Sequence, residues 1–197
     1  MTNIKIRALE HVATVHADWT RFVAELPDVG NATKQVSEHA KRYFKGQYKF
    51  ERSELNMMQK HMGDELCKLV GARVWNINKI NPGSITLPHT DRFTPAAKAF
   101  GEWAAYERGD FDPHERYIRY WIPINDRTLG QYFEAEGVRT LCDWRAGDVF
   151  VSPSAHTHCG ATVGTEPRYL IMADGMQSDV GVIHEKFTEL RIRNEHE

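Results

Sequence analysis

Arg73-Val74-Trp75-Asn76-Ile77-Asn78-Lys79-Ile80-Asn81-Pro82-Gly83-Ser84-Ile85-Thr86-Leu87-Pro88-His89-Thr90-Asp91 is the stretch on which the fold turns. Residues 73–80 carry the β-branched and aromatic side chains of a strand, Asn81-Pro82-Gly83 is a turn, and residues 84–87 form a second strand that delivers His89. Side chains on extended backbone alternate with a period of two, so His89 and Asp91 share a face and can converge on one metal ion. A third ligand must come from elsewhere. His156 and His158 are candidates if strands roughly seventy residues apart are brought together, as in closed antiparallel barrels and jelly rolls.

The 197 residues, 41% of them hydrophobic, can bury a real core and read as a single domain, 1–197. With 25 basic and 27 acidic residues there is no global field drawing the chain to nucleic acid or an anionic membrane. Cys67, Cys142 and Cys159 have no metal-knuckle or CxxC spacing, and the N-terminus has no long apolar run. A reduced, cytoplasmic protein without a membrane span is the expectation. Oligomeric state is left open.

Upstream of the organising stretch, residues 1–71 read as a helical support region. Residues 5–15 suit an edge strand or a lead-in. Trp19, Phe22, Val23 and Leu26 repeat at helical spacing before Pro27. Thr33 is placed to cap a second helix that carries Val36, Ala40, Tyr43 and Phe44 inward and ends near Gly46. Ser53 is expected to cap a third, with Leu55, Met58, Met62, Leu66 and Leu69 as a core stripe before Gly71. Lys41, Arg42, Lys45, Lys49 and Arg52 stand among Glu38, Glu51 and Glu54 and read as a solvated face, the other reading being the rim of a site for an anionic substrate.

Downstream, one helix over residues 94–109, capped by Thr94 and stopped by Gly109, interrupts the strands. Strands are expected at 117–124, 132–134, 138–142, 147–151, 158–163 and 168–173. That makes seven or eight after residue 72, enough for a double-sheet jelly roll. The fold class is therefore mainly β with a helical N-terminal part. Its core, 72–174, is a double-stranded β-helix (jelly roll, cupin-like), and 175–197 is a C-terminal extension whose residues 182–193 suit a short outer strand or helix.

His89-Thr90-Asp91 alone is a pattern of common residues that also occurs as a hydrogen-bonded strand end, and Arg168 alone could be a structural ion-pair arginine. Together with His158 they carry more. Two imidazoles and a carboxylate form the facial triad of non-haem Fe(II) sites, and an arginine's planar fork matches a carboxylate. His156 and His158 have the same parity, so alternation does not choose between them. His114, after Asp112 and Pro113, imitates a metal pair but falls in a probable-loop context.

His89-Thr90-Asp91, the run Trp144-Arg145-Ala146-Gly147-Asp148-Val149-Phe150, His158, and Pro167-Arg168-Tyr169-Leu170-Ile171 together resemble the Fe(II)/2-oxoglutarate-dependent dioxygenase superfamily, in the manner of its aspartyl/asparaginyl and prolyl hydroxylase branches. The likeness covers about residues 73–174. It implies that His89, Asp91 and His158 hold Fe(II), with His158 preferred over His156 by the interval to Arg168, and that Arg168 binds 2-oxoglutarate. A hydroxyl partner for that carboxylate is implied too, from Tyr117, Tyr132, Thr140 or Thr162. The implied activity uses molecular oxygen to hydroxylate a C–H bond of a small molecule, amino acid derivative or peptide side chain, and Asp91 at its position favours hydroxylation over halogenation. Leu87 stands where some prolyl hydroxylases have tyrosine. Asp174 stands where nucleic-acid demethylases have a second arginine. The alternatives are a non-catalytic cupin-like binding module and a cupin-type epimerase.

Overall fold

A computed structural model of the chain describes residues 10–34, 43–135, 139–141, 143–152, 157–179 and 189–191. The strands are β1 (Glu10–His16), β2 (Phe44–Phe50), β3 (Ala72–His89), β4 (Tyr117–Pro123), β5 (Gln131–Ala135), β6 (Arg139–Leu141), β7 (Asp148–Ser152), β8 (His158–Thr162), β9 (Arg168–Met176) and β10 (Glu189–Arg191). The helices are α1 (Trp19–Ala24), α2 (Met57–Val70), α3 (Thr94–Ala99), α4 (Trp103–Arg108) and α5 (Pro113–Arg116).

All ten strands belong to one curled sheet in the order β10-β1-β7-β4-β9-β3-β8-β5-β6, with β2 on the other edge of β3. The curl is built into β3. Its residues 72–80 pair with β9, and its residues 84–89 pair with β8. Between them, Asn81-Pro82-Gly83 does not end the strand as a turn would. It makes a corner within it, with Gly83 at φ 76°, where a residue bearing a Cβ is strained. One long strand thus belongs to two layers, β7-β4-β9-β3 and β3-β8-β5-β6, and the result is a jelly-roll-like half-barrel.

The main hydrophobic core lies outside this half-barrel. Ile77, Ile118, Tyr120, Ile122, Val149, Val151, Ile171 and Ala173 face outward and pack with Trp19, Phe22, Met62, Leu66 and Val70 of the helices. The methionine stripe is therefore packing, as its spacing indicates. Helix α2 approaches closely because Gly63 has no Cβ, which would otherwise overlap the Trp75 indole. Alternation then turns the opposite residues inward: Asn76 and Asn78 on β3, Arg119 and Trp121 on β4, and Arg168, Leu170, Met172 and Asp174 on β9.

Several elements differ from expectation. Phe44 begins strand β2 rather than lying in a helix, and residues 35–42 of that expected helix lie outside the described residues. Helix α2 is capped by Asn56, whose side chain accepts from Gln59 N–H while Gln59 answers to Asn56 N–H; residues 52–54 ahead of it form a 3-10 turn closed by Glu51 and Glu54. Thr94 is the first residue of α3, not its cap, and the expected helix over 94–109 is two, divided at Gly101 with φ 74°. In the tail, residues 189–191 form a strand parallel to β1. The N-terminal region contributes β1 and β2 to the sheet as well as helices.

Candidate metal centre

His89 ends β3 and His158 opens β8, and the two are directly paired across the strands. Their ring centroids are 4.4 Å apart. Asp91 follows two residues beyond the strand end, and the donor atoms of His89, Asp91 and His158 all lie within 4.8 Å of one another. All three residues are buried. This is the one His/Cys/Asp/Glu grouping of metal-holding geometry among the described residues.

The donors suit a metal. His89 Nδ1–H donates to the Leu87 carbonyl at 2.8 Å, which places the lone pair on Nε2. Burial, reinforced by His158, pushes the His89 imidazolium down to about 4, so the ring is neutral at ordinary pH. Burial alone would raise the Asp91 carboxyl, but Arg119 foremost, with His158 and His89, holds it below the usual range.

Arg119 is central to that balance. Its Nη1 donates to Asp91 Oδ1 at 2.5 Å, while Nε and Nη2 grip Asp174 Oδ1 and Oδ2 at 2.7 and 3.0 Å. Arg119 and Asp174 are cross-strand partners on β4 and β9. Burial works against the arginine's charge, and Asp174 and Asp91 more than offset it, so its pKa is raised. The sequence offers a signal for this pair: Arg119 is the one charged residue of β4, and Asp174 is the one acid of β9. Without the register, Arg119 reads as a pocket residue and Asp174 only as a missing arginine.

Arg168 opens β9 and is buried, with Nη1 donating to the Tyr132 carbonyl at 3.1 Å. At Gly160 a Cβ would crowd that same carbonyl, at 3.0 Å. The guanidinium faces a pocket whose other walls are Trp121, Pro123, Phe133, Trp144, Phe150 and Leu170. Burial lowers its pKa to about 10. No carboxylate of the described residues pairs with Arg168, and its Nε has no hydrogen-bond partner among them; nor have the indole N–H groups of Trp121 and Trp144. The polar atoms of this cavity are donors, which is the character of an anion site.

The candidate hydroxyl partners separate. Tyr117 lies fully buried among Phe93, Phe100 and Phe111, and its hydroxyl donates to Glu102 at 2.7 Å, so the structure does not bring it to Arg168. Tyr132 meets Arg168 through its carbonyl, while Phe133, its neighbour on β5, takes the cavity face. Thr162 is buried on the same face of β8 as His158 and Gly160, and its Oγ1 has no partner among the described residues. The side chain of Thr140 and the whole of His156 lie outside the described residues. His114 lies outside the metal-holding cluster, in α5 rather than a loop, and Asp112, the other half of the imitated pair, caps that helix by accepting from the His114 backbone N–H. Among the described residues, no helix is long and apolar enough to cross a membrane.

No family model matches the chain, and no curated protein matches it. Solved structures do. A non-heme monooxygenase, ThoJ in its nickel complex, is 16% identical over 84% of this chain and 71% of its own, with a TM-score of 0.44. A 2OG-Fe(II) oxygenase family oxidoreductase from Burkholderia pseudomallei is 20% identical over 53% of this chain and 42% of its own, TM-score 0.36. A predicted oxalate decarboxylase from Thermotoga maritima is 15% identical over 66% and 80%, TM-score 0.36. Likenesses at this level assign no activity, and the functional reading rests on the site itself.

Proposed function

We propose that this chain is an Fe(II)- and 2-oxoglutarate-dependent oxygenase that hydroxylates a C–H bond of a small molecule, an amino acid derivative or a peptide side chain. The observation that carries this reading is the conjunction of a buried two-histidine, one-carboxylate cluster with a buried arginine that has no counter-ion among the described residues. A guanidinium held from water without an anion is costly, and a dicarboxylate that reaches from the cluster to Arg168 would relieve that cost. Bound there, Fe(II) and 2-oxoglutarate would supply the oxidising chemistry, with the keto acid converted to succinate and carbon dioxide.

The protein's own part is position and exclusion of water. β-strand pairing presents His89 and His158 side by side, His89 as a neutral donor, and Asp91 is kept ionised and oriented by Arg119. Arg168, with Thr162 as its hydroxyl partner, would hold the distal carboxylate by charge-assisted hydrogen bonds. Trp121, Phe133, Trp144 and Phe150 line the cavity with rings that keep water away.

Anaerobic calorimetric titration tests the reading. The protein is expected to bind Fe(II), and then 2-oxoglutarate only with the metal present. His158→Ala should abolish metal binding. Arg168→Met should weaken 2-oxoglutarate about 10- to 100-fold, as for loss of one charge-assisted contact, and leave metal affinity intact. Wild-type protein that binds neither component refutes the reading, and equal loss of metal in Arg168→Met makes that arginine structural.

A further inference from the structure

Strand β2 places a second cation inside the half-barrel. Tyr48 and Phe50 lie on its outer face with the main core, and alternation sends Gln47 and Lys49 inward. Lys49 is the register partner of Asn78, so the two side chains share the inner face. Asn78 in turn donates to Asn76 Oδ1 at 2.7 Å and approaches Met172 Sδ at 3.1 Å. Lys49 is half-buried and lies within electrostatic reach of Arg119 and Asp174.

This ammonium has no counter-ion among the described residues. The two interior carboxylates are both taken by Arg119. The acidic residues next along the chain, Glu51 and Glu54, are bound on the outer face by Lys34 at 3.2 and 2.9 Å. Burial lowers the Lys49 pKa, as expected of a cation facing a polar but unmatched interior. A divalent metal and a dicarboxylate co-substrate would balance Asp91, Asp174, Arg119 and Arg168 in charge, which again leaves Lys49 over. Asn76, whose Oδ1 is occupied by Asn78, contributes amide N–H donors beside it.

We propose that Lys49, with the side-chain amide N–H groups of Asn76, which Asn78 holds in place, anchors a carboxylate of the primary substrate, so that the enzyme acts on small carboxylic acids such as free amino acids and their derivatives. The proposal rests on the oxygenase reading for what happens to that substrate, not for its binding. One cation with amide donors matches a monoanionic carboxylate, whereas a phosphate monoester would bring a second charge with no partner.

The test is binding under anaerobic conditions to the Mn(II)- and 2-oxoglutarate-loaded protein, and in parallel to the protein alone. The probes are the twenty L-amino acids, their primary amides and O-phosphoserine, screened by saturation-transfer NMR and then titrated. Acids are expected to bind, with their amides weaker by about 10- to 100-fold, the effect of one lost charge-assisted contact. Lys49→Met should erase that acid-over-amide preference, Lys49→Arg should largely restore it, and 2-oxoglutarate affinity should stay within about threefold in both.

Three outcomes overturn the proposal: no acid that outbinds its amide, an unchanged preference in Lys49→Met, or phosphoserine as the strongest binder. Loss of 2-oxoglutarate in Lys49→Met equal to loss of the acids also overturns it, since Lys49 would then belong to the co-substrate site. Lys49-dependent acid binding by a protein that takes neither metal nor 2-oxoglutarate would leave this proposal standing and remove the oxygenase reading.

Discussion

Arg119→Leu is the most informative single change. It removes a guanidinium only 9% exposed from between two carboxylates, Asp91 and Asp174, each 5% exposed. Three charge-assisted hydrogen bonds to these acids are lost; among the described residues Asp174 has no other Arg, Lys or His in direct contact, and Asp91 has only the His158 imidazole at 3.7 Å. Stripping the partner from a buried ion pair typically costs about 3–5 kcal/mol, most of it the penalty for the charge left behind. A chain of this size loses about 2–4 °C of Tm per kcal/mol, so a fall of roughly 6–20 °C is expected for the metal-free protein.

The assay is thermal unfolding of metal-free wild type, Arg119→Leu, and the double variant Arg119→Leu/Asp174→Leu. If stranded charge is the cause, the double variant, which removes one of the stranded acids, should regain part of the loss despite carrying two substitutions. A single variant that melts within about 2 °C of wild type refutes the electrostatic account. A double variant no more stable than the single shows instead that the arginine matters through packing, for example its position over the Phe93 ring at 5.1 Å.

Two further outcomes follow from packing and titration away from the site. Gly63→Ala, normally stabilising within a helix by up to about 1 kcal/mol, should instead destabilise by about 1–3 kcal/mol in urea unfolding, because the new methyl overlaps an indole that is tied by its N–H to Asp64 at 2.9 Å; a stabilised variant would show that α2 can move off the sheet. Glu102 is held down to about 2 by Arg116 and then Tyr117, against an ordinary value of 4.5. Its folded-state pKa is depressed, so its contribution is complete above 4.5 and is lost as pH falls from there through about 2. The stability gap between wild type and Glu102→Gln, on the order of 1–2 kcal/mol at pH 6, should close over that range, and a gap independent of pH would exclude the carboxylate as its source.

The grouping of His89 and Asp91 is legible in the chain because an extended spacing of two puts them on one face, although Asp91 falls just past the strand end. Parity does not choose His158 over His156; the interval to Arg168, which the family resemblance supplies, does. Strand β2 is missed for another reason. Phe44, Tyr48 and Phe50 alternate with Lys45, Gln47 and Lys49, but the helical spacing of Val36, Ala40, Tyr43 and Phe44 runs into that stretch and masks it. Nor does the chain alone show which side of the sheet is apolar: the half-barrel interior carries Gln47, Lys49, Asn76, Asn78, Arg119 and Asp174, and the apolar faces turn outward to the helices. Tyr117 illustrates another limit: parity groups it with Arg119 and Trp121 without saying which set faces inward, and only the register shows that it pairs with Met176 at the far end of β9 from Arg168, where Glu102 takes its hydroxyl.

That inversion also ties stability to ligand binding. A polar interior persists only if its charges are matched, and Arg119 matches two acids at once, one of them a prospective metal ligand. It leaves two cations on different walls, Arg168 reaching across to β5 and Lys49 on β2. On the proposed reading the two are divided between co-substrate and substrate, and the acids that would complete the interior are the molecules on which the enzyme acts.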